Sequence, residues 1–472
     1  MEKVKSEKCL KFDRTEEVIY SKNFLFMHKK YFALGVTFFI IASISIEAGF
    51  IKNERVEEKI IPKDSTKLYN LNDGVFEKLI TKLMKIAHMP SLSALIIKDN
   101  EILWNDGFGL YDMERGKEAD EKTIYLVASI SKTITATALM QLHEKGYFDL
   151  DDDVNNYLPF KLRNPNYPDE PITFRMLLAH QSSLAEDPST FYAYIPGDME
   201  VEGYPYPWLE EYLTPDGILY IPHVWSVSHP GEEMQYANVG YGLLGYLVET
   251  ISGMKFEEYC RKNIFEPLGM ENTSFRLRNL DINRVAVPYS FRFGEYYPFI
   301  HYGIIVYPAG GLRTSVVDLS HFLIAHINGG VYNGKRILSE KSVEEMHRIQ
   351  YQNNNYGFQY GLGFQIWERG NDVYIGHTGG LYGVTTKMVF RESDRIGIIF
   401  FTNKQIISLR EMVAFSLIEQ LLFWKATGSI EELKKSRIEE TILSNIHIIK
   451  NFDDNFNIED YLPDIIFDVM SR

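Results

Sequence analysis

The chain predicts an α/β fold in which one antiparallel sheet, flanked by helices, is built from both ends of the folded region and interrupted by an inserted, mainly helical lobe. Three observations predict it. Leu92–Lys98 and Glu101–Gly107 read as a hairpin around Asp99-Asn100. Strand patterns return far downstream, at Gly363–Glu368, Val373–Ile375, Thr385–Phe390 and Ile396–Thr402. Between them, about 165–300 is rich in Pro, Tyr and short helical patterns.

Ahead of this body stand 1–30, an apolar stretch within 31–50, and a charged, aperiodic linker over 51–67. The apolar run Tyr31 to Ile46 follows His28-Lys29-Lys30, which predicts a membrane anchor with the catalytic part exported. Read from Met27, the same residues are a secretory signal, giving a secreted protein instead. The body is expected over 68–427, followed by an acidic, Ile-rich tail over 428–472 whose Ile442 to Ile449 stretch could pack on it.

Composition bounds the function. With 472 residues, 45% hydrophobic and 24% charged, the chain can bury a large core. A net charge of -15 with no cluster of Lys and Arg excludes nucleic acid as a partner and reads as solubility. Two cysteines, Cys9 and Cys260, on opposite sides of the apolar stretch do not predict an internal disulfide. Histidine spacing offers no metal site, and no cofactor is expected.

The chemistry is carried first by Ser129-Ile130-Ser131-Lys132, where apolar Leu126-Val127-Ala128 leads into a helix marked by Ile134, Ala138, Leu139 and Leu142 and stopped by Gly146. Residues three apart on a helix are neighbours, so the amine can activate the hydroxyl. A second S-x-x-K, Ser252 to Lys255, is interrupted by Gly253 at a helix end and reads as chance. Tyr236-Ala237-Asn238, between Pro230-Gly231 and an apolar helix, offers a general base, provided that a cation such as Lys132 favours the phenolate. The alternative is a tyrosine packed under a loop. His377-Thr378-Gly379-Gly380 offers small residues at a strand edge and a second oxyanion donor; the alternative is a glycine bulge or turn.

Taken in order, these motifs resemble the serine β-lactamase, penicillin-binding protein and esterase superfamily, in its class C β-lactamase-related branch. Further landmarks are Phe108–Asp112, Asp149–Val154 running to Tyr157-Leu158-Pro159, Leu177–Leu184, Leu268-Gly269-Met270 and Pro308–Leu312, so the resemblance spans roughly 78–425. It implies a β-lactamase/transpeptidase-like fold with the site between sheet and helical lobe. It also implies that Ser129 is acylated with Lys132 as proton partner and Tyr236 as base. Asn238 would bind substrate, and the Ser129 and Gly380 N–H groups would form an oxyanion hole on the His377-Thr378-Gly379-Gly380 strand. The substrate would be a small molecule or peptide.

Two departures refine this. His377 stands where β-lactam-binding relatives commonly carry lysine, and a neutral imidazole attracts a substrate carboxylate less. Hydrolysis of an ester or amide is therefore expected over β-lactamase activity, with a D-Ala peptidase or β-lactam-binding protein, or an idle scaffold, as alternatives. Gln181 and Ser183 stand where relatives usually read H-T-S-G-L, and the missing glycine predicts a turn without positive φ at Ser183.

Overall fold

Asp99 and Asn100 both adopt left-handed φ, 54° and 64°, and this pair closes the hairpin of β1 (Ser91–Lys98) on β2 (Glu101–Asp112). In this computed structural model the described residues are 73–185, 195–198, 200–351 and 357–428. The expected membrane segment, the linker and nearly all of the tail lie outside them. Among the described residues no helix is long and apolar enough to cross a membrane.

The sheet is completed by β3 (Lys117–Glu118), β4 (Gln359–Tyr360), β5 (Gln365–Arg369), β6 (Asp372–Leu381), β7 (Val384–Arg391) and β8 (Gly397–Thr402). Its order is β4-β5-β6-β7-β8-β1-β2-β3, so the first hairpin pairs with the last strand, Leu92 opposite Thr402 and Ile97 opposite Gly397. The five longest helices among the described residues are α1 (Asp73–Ile86), α2 (Ser131–Glu144), α3 (Asn238–Ser252), α4 (Val316–Ile327) and α5 (Leu409–Thr427).

Central strands are buried on both faces because helices cover each side. Leu92, Ala94 and Ile96 join Ile398 and Phe400 in a core under α1 and α5, while Leu95, Ile97, Ile399 and Phe401 face the larger core shared with α2, α3 and α4. The period-2 alternation of a strand produces this division. On the outer face, α5 begins with a Ser408–Glu411 capping box and ends at Gly428 in the left-handed conformation. Two buried ion pairs tie its region to the sheet: Lys387 to Glu419 and Lys404 to Glu411, each at 2.6 Å.

The helix carrying the S-x-x-K motif differs from its expected form. Residues 128–130 form a 3₁₀ turn and α2 proper starts at Ser131, so Ser129 precedes the α-helix rather than opening it. α2 has no polar face either: every residue from Ser131 to Leu142 is buried. Its hydroxyls are reconciled with burial by carbonyls: Thr133 donates to Ile130 O, Thr135 to Pro308 O and Thr137 to Thr133 O, at 2.7–2.8 Å.

Candidate active site

Ala128, fully buried and directly before Ser129, has φ 49°. A non-glycine residue there costs about 1 kcal/mol and persists only where its surroundings fix it. They do so on both sides. Val127 N–H donates to Leu312 O, Thr386 Oγ1 donates to Val127 O, and Ser131 Oγ donates to Ala128 O while accepting from Leu312 N–H. The half-buried Ser129 side chain is thereby presented at the end of a pinned turn.

Lys132 is fully buried beneath it. Its Nζ lies 3.0 Å from Ser129 Oγ, 2.5 Å from Asn238 Oδ1 and 2.8 Å from Ala309 O. Oxygens so placed suit the N–H donors of an ammonium ion. Ala309 belongs to the Pro308–Leu312 landmark, to which the sequence reading gave no chemical role; its carbonyl completes the lysine's cage. The S-x-x-K at Ser252 behaves as expected of an accident, with Ser252 Oγ on Val248 O and exposed Lys255 on Glu249.

Tyr236 comes from the segment leading into α3, and Asn238 is the first residue of that helix. Lys132 Nζ stands 4.9 Å from the centroid of the Tyr236 ring, and Tyr236 is half-buried. A cation placed here favours whichever state of the site carries negative charge, phenolate or developing oxyanion. Asn238 commits its carbonyl oxygen to Lys132, so that end of its side chain positions the lysine.

On the opposite wall, the glycine pair of His377-Thr378-Gly379-Gly380 is neither bulge nor turn. Gly379 and Gly380 lie within β6, in register with Thr386 and Thr385 of β7. A Cβ on Gly379 would sit 2.3 Å from Val127 O, so only glycine lets this strand press against the turn before Ser129. At Gly380 a Cβ would meet nothing, and the residue is exposed, which leaves open space beside its backbone. Thr378 is held by Gln365, whose Oε1 accepts from both its N–H and its hydroxyl at 3.0 Å.

His377 itself is fully buried behind the strand. Tyr360 donates its hydroxyl proton to Nε2 at 2.8 Å and Nδ1–H donates to Thr378 O at 2.6 Å, an assignment that satisfies both nitrogens of a neutral ring. Burial, with the Lys132 charge adding to it, pushes its pKa down to about 3. It therefore supplies neither a cation nor a surface to the cleft; it braces the strand from within. The turn at Ser183 also departs from expectation, with φ 59°, the value a glycine would take. The serine is tolerated there because Asn164 Nδ2 donates to its Oγ at 3.0 Å, an anchor a glycine would lack.

A half-buried serine on a buried lysine, a tyrosine beside them and a glycine-lined strand opposite are the kinds of group that serine-dependent acyl transfer employs. The β-lactamase family model matches residues 76–417, and the chain belongs to that family of serine hydrolases and penicillin-binding proteins. Protein flp of Staphylococcus aureus strain N315 is 24% identical over 343 residues, covering 72% of this chain. The match takes in 64% of that relative's length, a little under two thirds. Among solved structures, the octameric penicillin-binding protein homologue from Pyrococcus abyssi is 29% identical with a TM-score of 0.57, covering 74% of this chain and 78% of that one. The D-amino acid amidase from Ochrobactrum anthropi SV3, complexed with L-phenylalanine amide, shares the fold at TM-score 0.60 and 22% identity, over 76% and 99% of the two chains.

Proposed function

We propose that this chain is a serine hydrolase that acylates Ser129 and hydrolyses an ester or amide. The observation that carries the reading is the 3.0 Å contact between Lys132 Nζ and Ser129 Oγ inside a cage of neutral oxygens. Tyr236, as phenolate, takes the Ser129 proton while Oγ bonds to the substrate carbonyl carbon. The resulting oxyanion lies against the Ser129 and Gly380 N–H groups, and Lys132 balances the charge passing between hydroxyl and phenol. Collapse breaks the bond to the leaving group, which takes the proton from Tyr236. Water then attacks the acyl ester, its proton passing by Tyr236 to the departing Ser129 oxygen.

Ester and amide substrates without an essential carboxylate fit this site best, because neutral, buried His377 replaces a cation. The penicillin-binding protein homologue at 29% identity favours a second reading, acylation by a β-lactam without efficient turnover. Intact-mass spectrometry of the chain with a fluorophosphonate, and separately with a penicillin, tests both. A single adduct lost in Ser129→Ala is the expected result with the phosphonate; a stable penicillin adduct would favour the second reading. Absence of any adduct on folded protein would refute both.

A further inference from the structure

His180 lies in the Leu177–Leu184 motif, and the mechanism above does not use it. Its side chain and backbone are nevertheless committed to the segment that carries Tyr236. Gln235 N–H donates to His180 O at 2.7 Å and Ala237 N–H donates to His180 Nδ1 at 3.2 Å, so one residue holds the amides on both sides of the tyrosine. The imidazole also lies against the Tyr236 ring, centroids 4.2 Å apart and planes inclined by 31°. On its other sides it meets Tyr241 and Tyr360, the latter being the residue that braces His377.

The arrangement is costly in two independent ways. His180 is only 2% exposed and adopts φ 59°, and its Nε2 has no hydrogen-bond partner among the described residues. With Nδ1 accepting, the proton of a neutral ring must sit on that partnerless nitrogen. A buried donor left unmade costs about 1–3 kcal/mol. An apolar side chain would fill the same space without that penalty, which argues that the acceptor at Nδ1 is what the site requires.

From this geometry, and resting on the acyl-transfer reading, we propose that His180 is a positioning residue for Tyr236. Its Nδ1 and carbonyl clamp the flanking amides, and its ring fixes the plane of the phenol over Lys132. Burial, with the charge of Lys132 beside it, holds the imidazole well below the usual histidine range, so Nδ1 stays an acceptor throughout the neutral region. Misplacing a proton-transfer group lowers the rate of the chemical step while leaving substrate affinity nearly intact.

Two variants separate this role from simple packing. His180→Phe keeps a ring but removes the acceptor, whereas His180→Asn keeps an acceptor and suits a left-handed backbone. In the full-length chain, His180→Phe should slow fluorophosphonate labelling of Ser129 by about ten- to a hundredfold. It should lower kcat for a p-nitrophenyl ester similarly and leave KM within about twofold. His180→Asn should restore both rates to within about threefold of the unmutated chain. Labelling of His180→Phe at the unmutated rate would overturn the proposal, as would an equal loss in both variants with cooperative unfolding preserved.

Should His180→Phe fail to fold, ¹⁵N NMR of the unmutated chain still decides. The His180 ring is expected as the Nε2–H tautomer, and an Nδ1–H ring would overturn the clamp. No Ser129 adduct on the unmutated chain would overturn the acyl-transfer reading itself. A normal adduct with indifferent His180 variants would overturn the positioning role alone.

Discussion

Two buried lysines on the two sides of the sheet are treated in opposite ways. Lys387, on the face covered by α5, meets a carboxylate: Glu419 at 2.6 Å, which Arg369 also contacts at 3.1 Å. Lys132, on the face of the helical lobe, meets three neutral oxygens. In the first region burial works to raise Glu419, but the Lys387 and Arg369 charges prevail and hold its carboxyl below the usual range. The lysine's charge there is neutralised within the framework. In the second, dipoles solvate the ammonium and leave its field available to a phenolate or an oxyanion. A buried cation is structural or catalytic according to what answers it.

Substitution can break this comparison. The largest effect is expected for Lys132→Met, which should reduce Ser129 labelling by about a thousandfold or more. Its stability should change by no more than about 2 kcal/mol, because relief of a buried charge offsets the loss of the donor to Asn238 Oδ1 and Ala309 O. Chemical denaturation alongside labelling measures both. Lys387→Met should do the reverse, costing about 2–3 kcal/mol by leaving the buried Glu419 only the half-exposed Arg369 as partner, with the labelling rate per folded molecule unchanged. Were the two profiles to coincide, the distinction would fail.

Acid sharpens it next. His347 and His377 are both pushed down to about 3 by burial from an ordinary 6.5, with the Lys132 charge adding at His377; burial takes His326 and His180 well below that ordinary value. Between those limits the unfolded chain binds protons that the folded chain refuses, so stability should rise with pH across that window and be lost as pH falls from about 6.5 toward 3. Thermal unfolding from pH 7 to 4 should show this. His347→Gln should flatten the slope, while His88, partly exposed, should contribute little to it. The smallest effect is expected for Arg369→Gln. This partner of Glu419 is 47% exposed, and its loss should cost about 0.5 kcal/mol.

Much of this was legible in the sequence, and the limits have physical causes. The β1–β2 hairpin, the downstream strands and the placement of Ser129 beside Lys132 follow from local periodicity and three-residue helical spacing. What could not be read depends on tertiary contacts. Nothing near Ser183 or Ala128 announces a left-handed backbone; a side-chain donor 19 residues from Ser183 supports the first, and strands hundreds of residues away fix the second. His180 stands within the Leu177–Leu184 motif, but its partner at Ala237 is 57 residues on, with no spacing to reveal it. His377 carried the right motif and the wrong address: strand alternation alone does not say which face of β6 meets the cleft. Ala309 acts through its backbone carbonyl, which no side-chain motif can mark.

The pairing of β1 with β8 also has a consequence for biosynthesis. Ser129 and Lys132 leave the ribosome early, but the strand bearing Gly379 and Gly380, and the strand that seals β1, are made some 250 to 270 residues later. Until then the nascent chain holds a serine and a lysine with no opposing wall, and the backbone of β1 lacks its second neighbour. Contacts this distant in sequence form slowly. A chain terminated in the lobe would therefore carry the S-x-x-K signature without the site, and would expose a strand edge open to aggregation.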